Sequence, residues 1–148
     1  LTALSLLPLT SDVLQQREKA AKEHRWEDPA LALALQFQQA DRIVIGAPYW
    51  DLSFPSVLKV YLEHIMVNHV VFRFTENGAT GLCKADKLVY IMTAGGFVGG
   101  RNFGYDYIRA LSRMVGITEV EQYCAEGLDL DGVDTYPILQ DVMGKMEV

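Results

Sequence analysis

The chain has 148 residues, half of them hydrophobic and 22% charged, which is enough apolar side chain for one globular core. A net charge of −6 and a pI near 5.0 exclude a nucleic-acid partner, since no basic stripe is present to displace counterions from phosphates. No apolar run approaches the roughly 20 residues of a membrane-spanning helix, so no membrane partner is expected. Cys83 and Cys124 form no Cys-x-x-Cys pair, so reduced thiols in a cytoplasmic protein are expected rather than a disulfide framework or a zinc site.

Leu1 to Leu9 is apolar but irregular and reads as an extended entry segment. Thr10 or Ser11 can cap a helix running to about His24, with Asp12 favourable near its positive end. Pro29 suits the first turn of a second helix, from Ala30 to about Gln39, rich in the helix formers Ala, Leu and Gln. The stretch from Arg42 to Leu52 opens as an unbroken apolar run, a strand expected to be buried on both faces, and turns at Gly46-Ala47-Pro48. Val57, Leu58, Tyr61, Leu62, Ile65 and Met66 recur at helical spacing, giving a helix from about Ser56 to Asn68.

Asn77-Gly78 marks a turn between short extended runs. A second buried-type strand, Lys87 to Thr93, leads into Ala94-Gly95-Gly96. Tyr107, Ile108, Leu111, Met114 and Val115 mark a helix stopped near Gly116. Glu119 to Ala125 reads as a third strand, and Asp134 or Thr135 caps a last helix to about Met146. This alternation predicts an α/β domain over residues 1–148, with a parallel sheet and helices on both faces.

Two loops follow strands and so lie where an open α/β sheet binds ligands. The first carries adjacent aromatics, Tyr49 and Trp50, which suit a flat ligand or simply cover the local core. The second, Thr93 to Phe97, has glycines that let backbone N–H groups approach a ligand closely, or merely permit a turn. Asp51 either faces the ligand or caps the helix that follows. His24, His64 and His69 lack metal-ligand spacing and read as surface or satisfied core residues. The acidic run from Glu119 to Asp134 reads as a solvated edge. Arg101, Arg109 and Arg113 could attract a dinucleotide phosphate, or form solvated helix faces.

The segment Ala47-Pro48-Tyr49-Trp50-Asp51-Leu52-Ser53-Phe54-Pro55-Ser56-Val57-Leu58-Lys59 resembles the flavin-contacting loop of the FMN-dependent NADH-azoreductase and NAD(P)H:quinone reductase family. Thr93-Ala94-Gly95-Gly96 is similar to that family's Ser/Thr-x-Gly-Gly loop, and Phe72-Arg73-Phe74-Thr75-Glu76-Asn77-Gly78 to its Phe-Arg-Tyr-Thr-Glu-Asn-Gly segment near the dimer interface. Ala125-Glu126-Gly127 matches a third short element. Asp51 stands where Asn is common, Leu52 where Phe is common, and Ala94 where Arg is often found.

The resemblance implies a flavodoxin-like three-layer sandwich, with the first strand and its Ser-rich phosphate loop preceding Leu1, so that the chain lacks the N-terminal part of the fold. It implies FMN as cofactor, NADH or NADPH as co-substrate and a quinone or azo acceptor. Hydride would pass through the flavin in a ping-pong scheme, with no protein acid or base required. Pro48, Tyr49, Trp50, Asp51, Leu52, Thr93, Ala94, Gly95 and Gly96 would contact the flavin, in a homodimer with Phe72 to Gly78 near the interface. An ionised Asp51 would disfavour the anionic reduced ring. The alternatives are a flavodoxin-like protein that has lost flavin binding and serves as a binding or structural partner, and a single-electron carrier. The dimer-type segment opposes the carrier.

Overall fold

The computed structural model describes residues 5–146. Its elements are α1 (Ser11–Lys22), a 3-10 turn (Pro29–Leu31), α2 (Ala32–Gln39), β1 (Arg42–Pro48), α3 (Ser56–Ile65), β2 (Phe72–Thr75), β3 (Gly78–Gly81), β4 (Lys87–Thr93), α4 (Phe103–Met114), β5 (Glu119–Ala125) and α5 (Thr135–Gly144). Leu1 to Ala3 and Leu4 of the entry segment lie outside the described residues, and Ser5 to Leu9 is irregular.

Parallel strands need a crossover connection, and a helix lies between β1 and β4 and between β4 and β5. β1, β4 and β5 form a parallel sheet in that order, and the register sets Pro48 beside Thr93 and Thr93 beside Ala125. All three strands therefore end level, and the loops that leave them converge on one edge. The expected turn at Asn77-Gly78 closes the antiparallel hairpin of β2 and β3, with Gly78 at φ 104°.

Ile43 and Ile45 of β1, with Leu88, Tyr90 and Met92 of β4, bury one face of the sheet under α2, α3 and α4. Leu62, Ile65 and Ile108 are fully buried there, each contributing about 1.5–3 kcal/mol. α5 adds nothing to this core and packs against β5 from the other side. β1 is not buried on both faces as its apolar run suggested: Val44 is 49% exposed and Gly46 is exposed. Among the described residues β1 lies at the end of the sheet order.

Thr10 caps α1 by accepting the Val13 N–H at 3.4 Å, as its sequence suggests. α3 ends at Ile65, three residues short of Asn68. The reason lies in α1, where the buried Arg17 donates to the carbonyls of Glu63 (2.8 Å), His64 (3.3 Å) and Met66 (3.3 Å). Those are carbonyls a helix end leaves unpaired, so the guanidinium closes the helix there. Burial holds the Arg17 pKa below its ordinary value, while Glu18 and Glu63 oppose that shift.

Candidate flavin site at the carboxyl edge of the sheet

The first loop is fixed by backbone bonds. Tyr49 N–H donates to the Thr93 carbonyl at 2.8 Å, carrying the parallel pairing one residue past β1. The Tyr49 hydroxyl donates to the Arg101 carbonyl at 2.9 Å and so braces the first loop on the second. Trp50 and Ser53 exchange backbone hydrogen bonds of 3.0 and 2.8 Å, closing a two-residue turn over Asp51 (φ 49°) and Leu52 (φ 67°). Consecutive positive φ angles are the habit of Asn and Gly, and a leucine held there carries about 1–2 kcal/mol of strain. The turn persists because Phe103 N–H donates to the Leu52 carbonyl at 3.1 Å. Gly104 allows a close approach: a Cβ there would stand 3.1 Å from the Phe54 ring and 3.2 Å from the Ser53 carbonyl carbon. The result is that Trp50 is held 60% exposed.

The second loop is tied down by its carbonyls. Ala94 N–H donates to Ala125, and the chain beyond β5 then donates back, Leu128 to Ala94 (3.1 Å), Asp129 to Gly95 (2.9 Å) and Gly127 to Gly96 (3.1 Å). The amide N–H groups of Gly95, Gly96 and Phe97 find no protein acceptor among the described residues. They are free donors at a fixed edge, suited to an acceptor-bearing ligand.

Pro48, Tyr49, Trp50, Thr93, Ala94 and Gly95 line one open cavity of about 180 Å³ together with Leu128 and Asp129. Asp51, Leu52 and Gly96 do not line it. The first two form the turn that displays Trp50, and Gly96 lies exposed at the next step of the second loop. Asp51 does not cap α3 either, since Pro55 holds that position without a side-chain cap.

The acidic run from Glu119 to Asp134 is not merely a solvated edge. The Glu126 carboxylate accepts the Val98 N–H at 3.3 Å, Glu121 pairs with Lys87 at 2.8 Å, and Asp129 reaches the cavity. Asp129 and Leu128 were missed because a run of acids reads as solvent-facing. The available signal was position, for in a parallel sheet the residues just past each strand share one edge.

Neither cysteine is tuned as a nucleophile. Burial pushes the Cys124 thiol up to about 12, with Glu126 adding to the shift, and pushes Cys83 up to about 11. Neither supplies a thiolate at neutral pH. A larger groove, about 520 Å³, is lined by Trp26, Leu35, Gln38, Gln39, His69, Val70 and Leu82. It lies where β1 and β4 begin, the opposite edge from the glycine loop, so its size does not outweigh its position. Among the described residues no group of acidic, His and Cys side chains could hold a metal ion, and no helix is long and apolar enough to cross a membrane.

The family model described as a flavodoxin-like fold matches residues 1–147. The chain is 38% identical over 134 residues to FMN-dependent NADH:quinone oxidoreductase 2 of Clostridium acetobutylicum, covering 87% of this chain and 65% of that protein. It is 34% identical over 140 residues to the FMN-dependent NADH:quinone oxidoreductase of Coprothermobacter proteolyticus, covering 91% and 68%. Such relatives are thus matched over about two thirds of their own length. Among solved structures, an azoreductase from Bacillus anthracis superposes with a TM-score of 0.80 at 23% identity, over 95% of this chain and 74% of that one. A B. anthracis FMN-dependent NADH-azoreductase solved with FMN gives 0.76 at 22% identity, over 95% and 73%. The parallel sheet, the loops at its carboxyl edge and these matches agree: the chain belongs to the flavodoxin-like fold family, in the branch that holds the FMN-dependent NADH:quinone oxidoreductases.

Proposed function

We infer that the chain, as a single domain over residues 1–148, is the flavin-holding part of an FMN-dependent NAD(P)H oxidoreductase acting on quinones or azo compounds. The observation that carries this is the pairing, at one edge, of an exposed flat indole at Trp50 with the free amides of Gly95, Gly96 and Phe97. The residues fit a flavin ring: an apolar face for the ring system, and donors for the oxygens on its rim. Pro48, Tyr49, Trp50, Thr93, Ala94 and Gly95 would hold the ring, with the Gly96 and Phe97 amides donating at its rim and Asp51 and Leu52 supporting from the turn. When bound, FMN supplies the hydride chemistry between a reduced nicotinamide and the acceptor. The chain's own part is to bind and orient through those loops, and no side chain here is needed as acid or base.

A homodimer is part of the same reading, supported by Phe74 on the hairpin, which is 67% exposed beside the buried Phe72. The free thiols support a cytoplasmic setting. The test is an absorption spectrum of the full-length protein with FMN, followed by NADH without oxygen. Retention of FMN on gel filtration and bleaching by NADH are expected. A folded chain that holds no flavin would refute the reading and leave a binding or structural role.

A further inference from the structure

Asp129 is anchored by its N–H to the Gly95 carbonyl at 2.9 Å, and its side chain folds over the glycine. A Cβ on Gly95 would stand 2.8 Å from the Asp129 Cγ and overlap the carboxylate, so the missing side chain makes room for the acid. Asp129 is exposed at the rim of the cavity that Tyr49 and Trp50 line, and among the described residues its carboxylate accepts no hydrogen bond and meets no cation. Its neighbours do not neutralise it. The Tyr49 hydroxyl is committed to the Arg101 carbonyl and the Glu126 carboxylate to Val98 N–H. The segments at this edge carry Asp51, Glu126, Asp129, Asp131 and Asp134 against one cation, Arg101.

Resting on the FMN reading, we propose that Asp129 is a ligand-facing residue that discriminates between the redox states of the bound ring, indifferent to the oxidised flavin and disfavouring the reduced one. Oxidised flavin has a neutral ring. Uptake of two electrons and one proton leaves one added negative charge on it, and a second proton removes that charge. An unpaired carboxylate at the rim of the same open cavity repels the charged reduced ring and leaves the neutral oxidised ring unaffected. With screening by water at an open cavity, the effect is about tenfold in relative affinity. The flavin is thereby held at a low potential and is a stronger reductant toward its acceptor.

The experiment measures, on the full-length protein with FMN, the dissociation constant of oxidised FMN and the two-electron midpoint potential. The variants are Asp129→Asn, Asp131→Asn and Gly95→Ala. Asp129→Asn is expected to leave oxidised-FMN binding within about twofold. It is also expected to raise the potential by about 30 mV, equivalent to a tenfold change for a two-electron couple. Asp131→Asn should leave the potential unchanged. Gly95→Ala, whose new Cβ displaces the carboxylate, should raise the potential and add little on top of Asp129→Asn. Equal potentials in wild type and Asp129→Asn, both with FMN bound, overturn the proposal alone, as does an equal shift in Asp131→Asn. A wild-type chain that binds no FMN overturns the FMN reading and this proposal with it.

Discussion

On one face of the sheet Ile43, Ile45, Leu88, Tyr90 and Met92 are covered by α2, α3 and α4, whereas on the other Val44 stands 49% exposed and the packing helix, α5, has no buried residue. Both faces belong to the same three strands, so the strands themselves cannot explain the difference. The larger buried cluster is on the first face, while on the second Val89, which pairs with Val44, is buried. The carboxyl edge needs neither face directly, because its loops are held by backbone bonds between Tyr49 and Thr93, Ala94 and Ala125, and Asp129 and Gly95. The site geometry is therefore set by strand register, and the energy that maintains it comes from the core beneath.

The strongest way to break this contrast is a pair of truncations at neighbouring register positions. Leu88→Ala, at a fully buried position, is expected to cost about 2–5 kcal/mol, whereas Val44→Ala should cost under about 1 kcal/mol. Urea unfolding of both variants compares them, and equal losses would mean that the second face is covered in solution. Next in size is Gly81→Ala. A Cβ on Gly81 would overlap the backbone of Val115 and Gly116, where the hairpin meets the end of α4. A loss of about 1–3 kcal/mol is expected, read as a lowered Tm.

Leu52→Gly tests the strain in the loop. It should stabilise the fold by up to about 1 kcal/mol, because glycine accepts the positive φ. FMN affinity should fall at the same time as Trp50 loses its fixed position. A variant that gained stability and kept affinity would show that the turn does not position Trp50. The smallest effect belongs to the edge of the less covered face. The hydrogen bond from Lys87, and then that from the Tyr123 hydroxyl, hold the Glu121 carboxyl below its ordinary value. A depressed folded value means that this stabilisation is present above the ordinary carboxylate range and is lost as pH falls through the depressed value. Lys87→Met should flatten that part of the acid limb, most visibly at low salt. An unchanged acid limb would mean the pair is fully screened.

Much of this was legible in the sequence. The apolar runs at Arg42 and Lys87 and the periodicity of Val57 to Met66 fix strands and a helix by local pattern alone. What was not legible depends on contacts distant in sequence. Arg17 ends α3 from 46 residues away, and nothing local to Asn68 announces it. Val44 reads as buried because the apolar run gives no sign of which face of the strand is covered, and among the described residues β1 ends the sheet order. At the site, Pro48 to Trp50 and Thr93 to Gly95 stood out through their aromatics and glycines. Asp129 did not, because its role comes from pairing with Gly95 rather than from its own neighbours.

The central claim is that the free amides of the second loop and the displayed indole of the first hold the flavin ring. The direct measurement is an amide NMR spectrum of the full-length, 15N-labelled protein titrated with FMN. The N–H resonances of Gly95, Gly96 and Phe97 and the Trp50 indole N–H are expected to shift together, with the same affinity. Shifts confined to the groove of Trp26, Gln38 and His69, with the Gly95 to Phe97 amides unmoved, would contradict it.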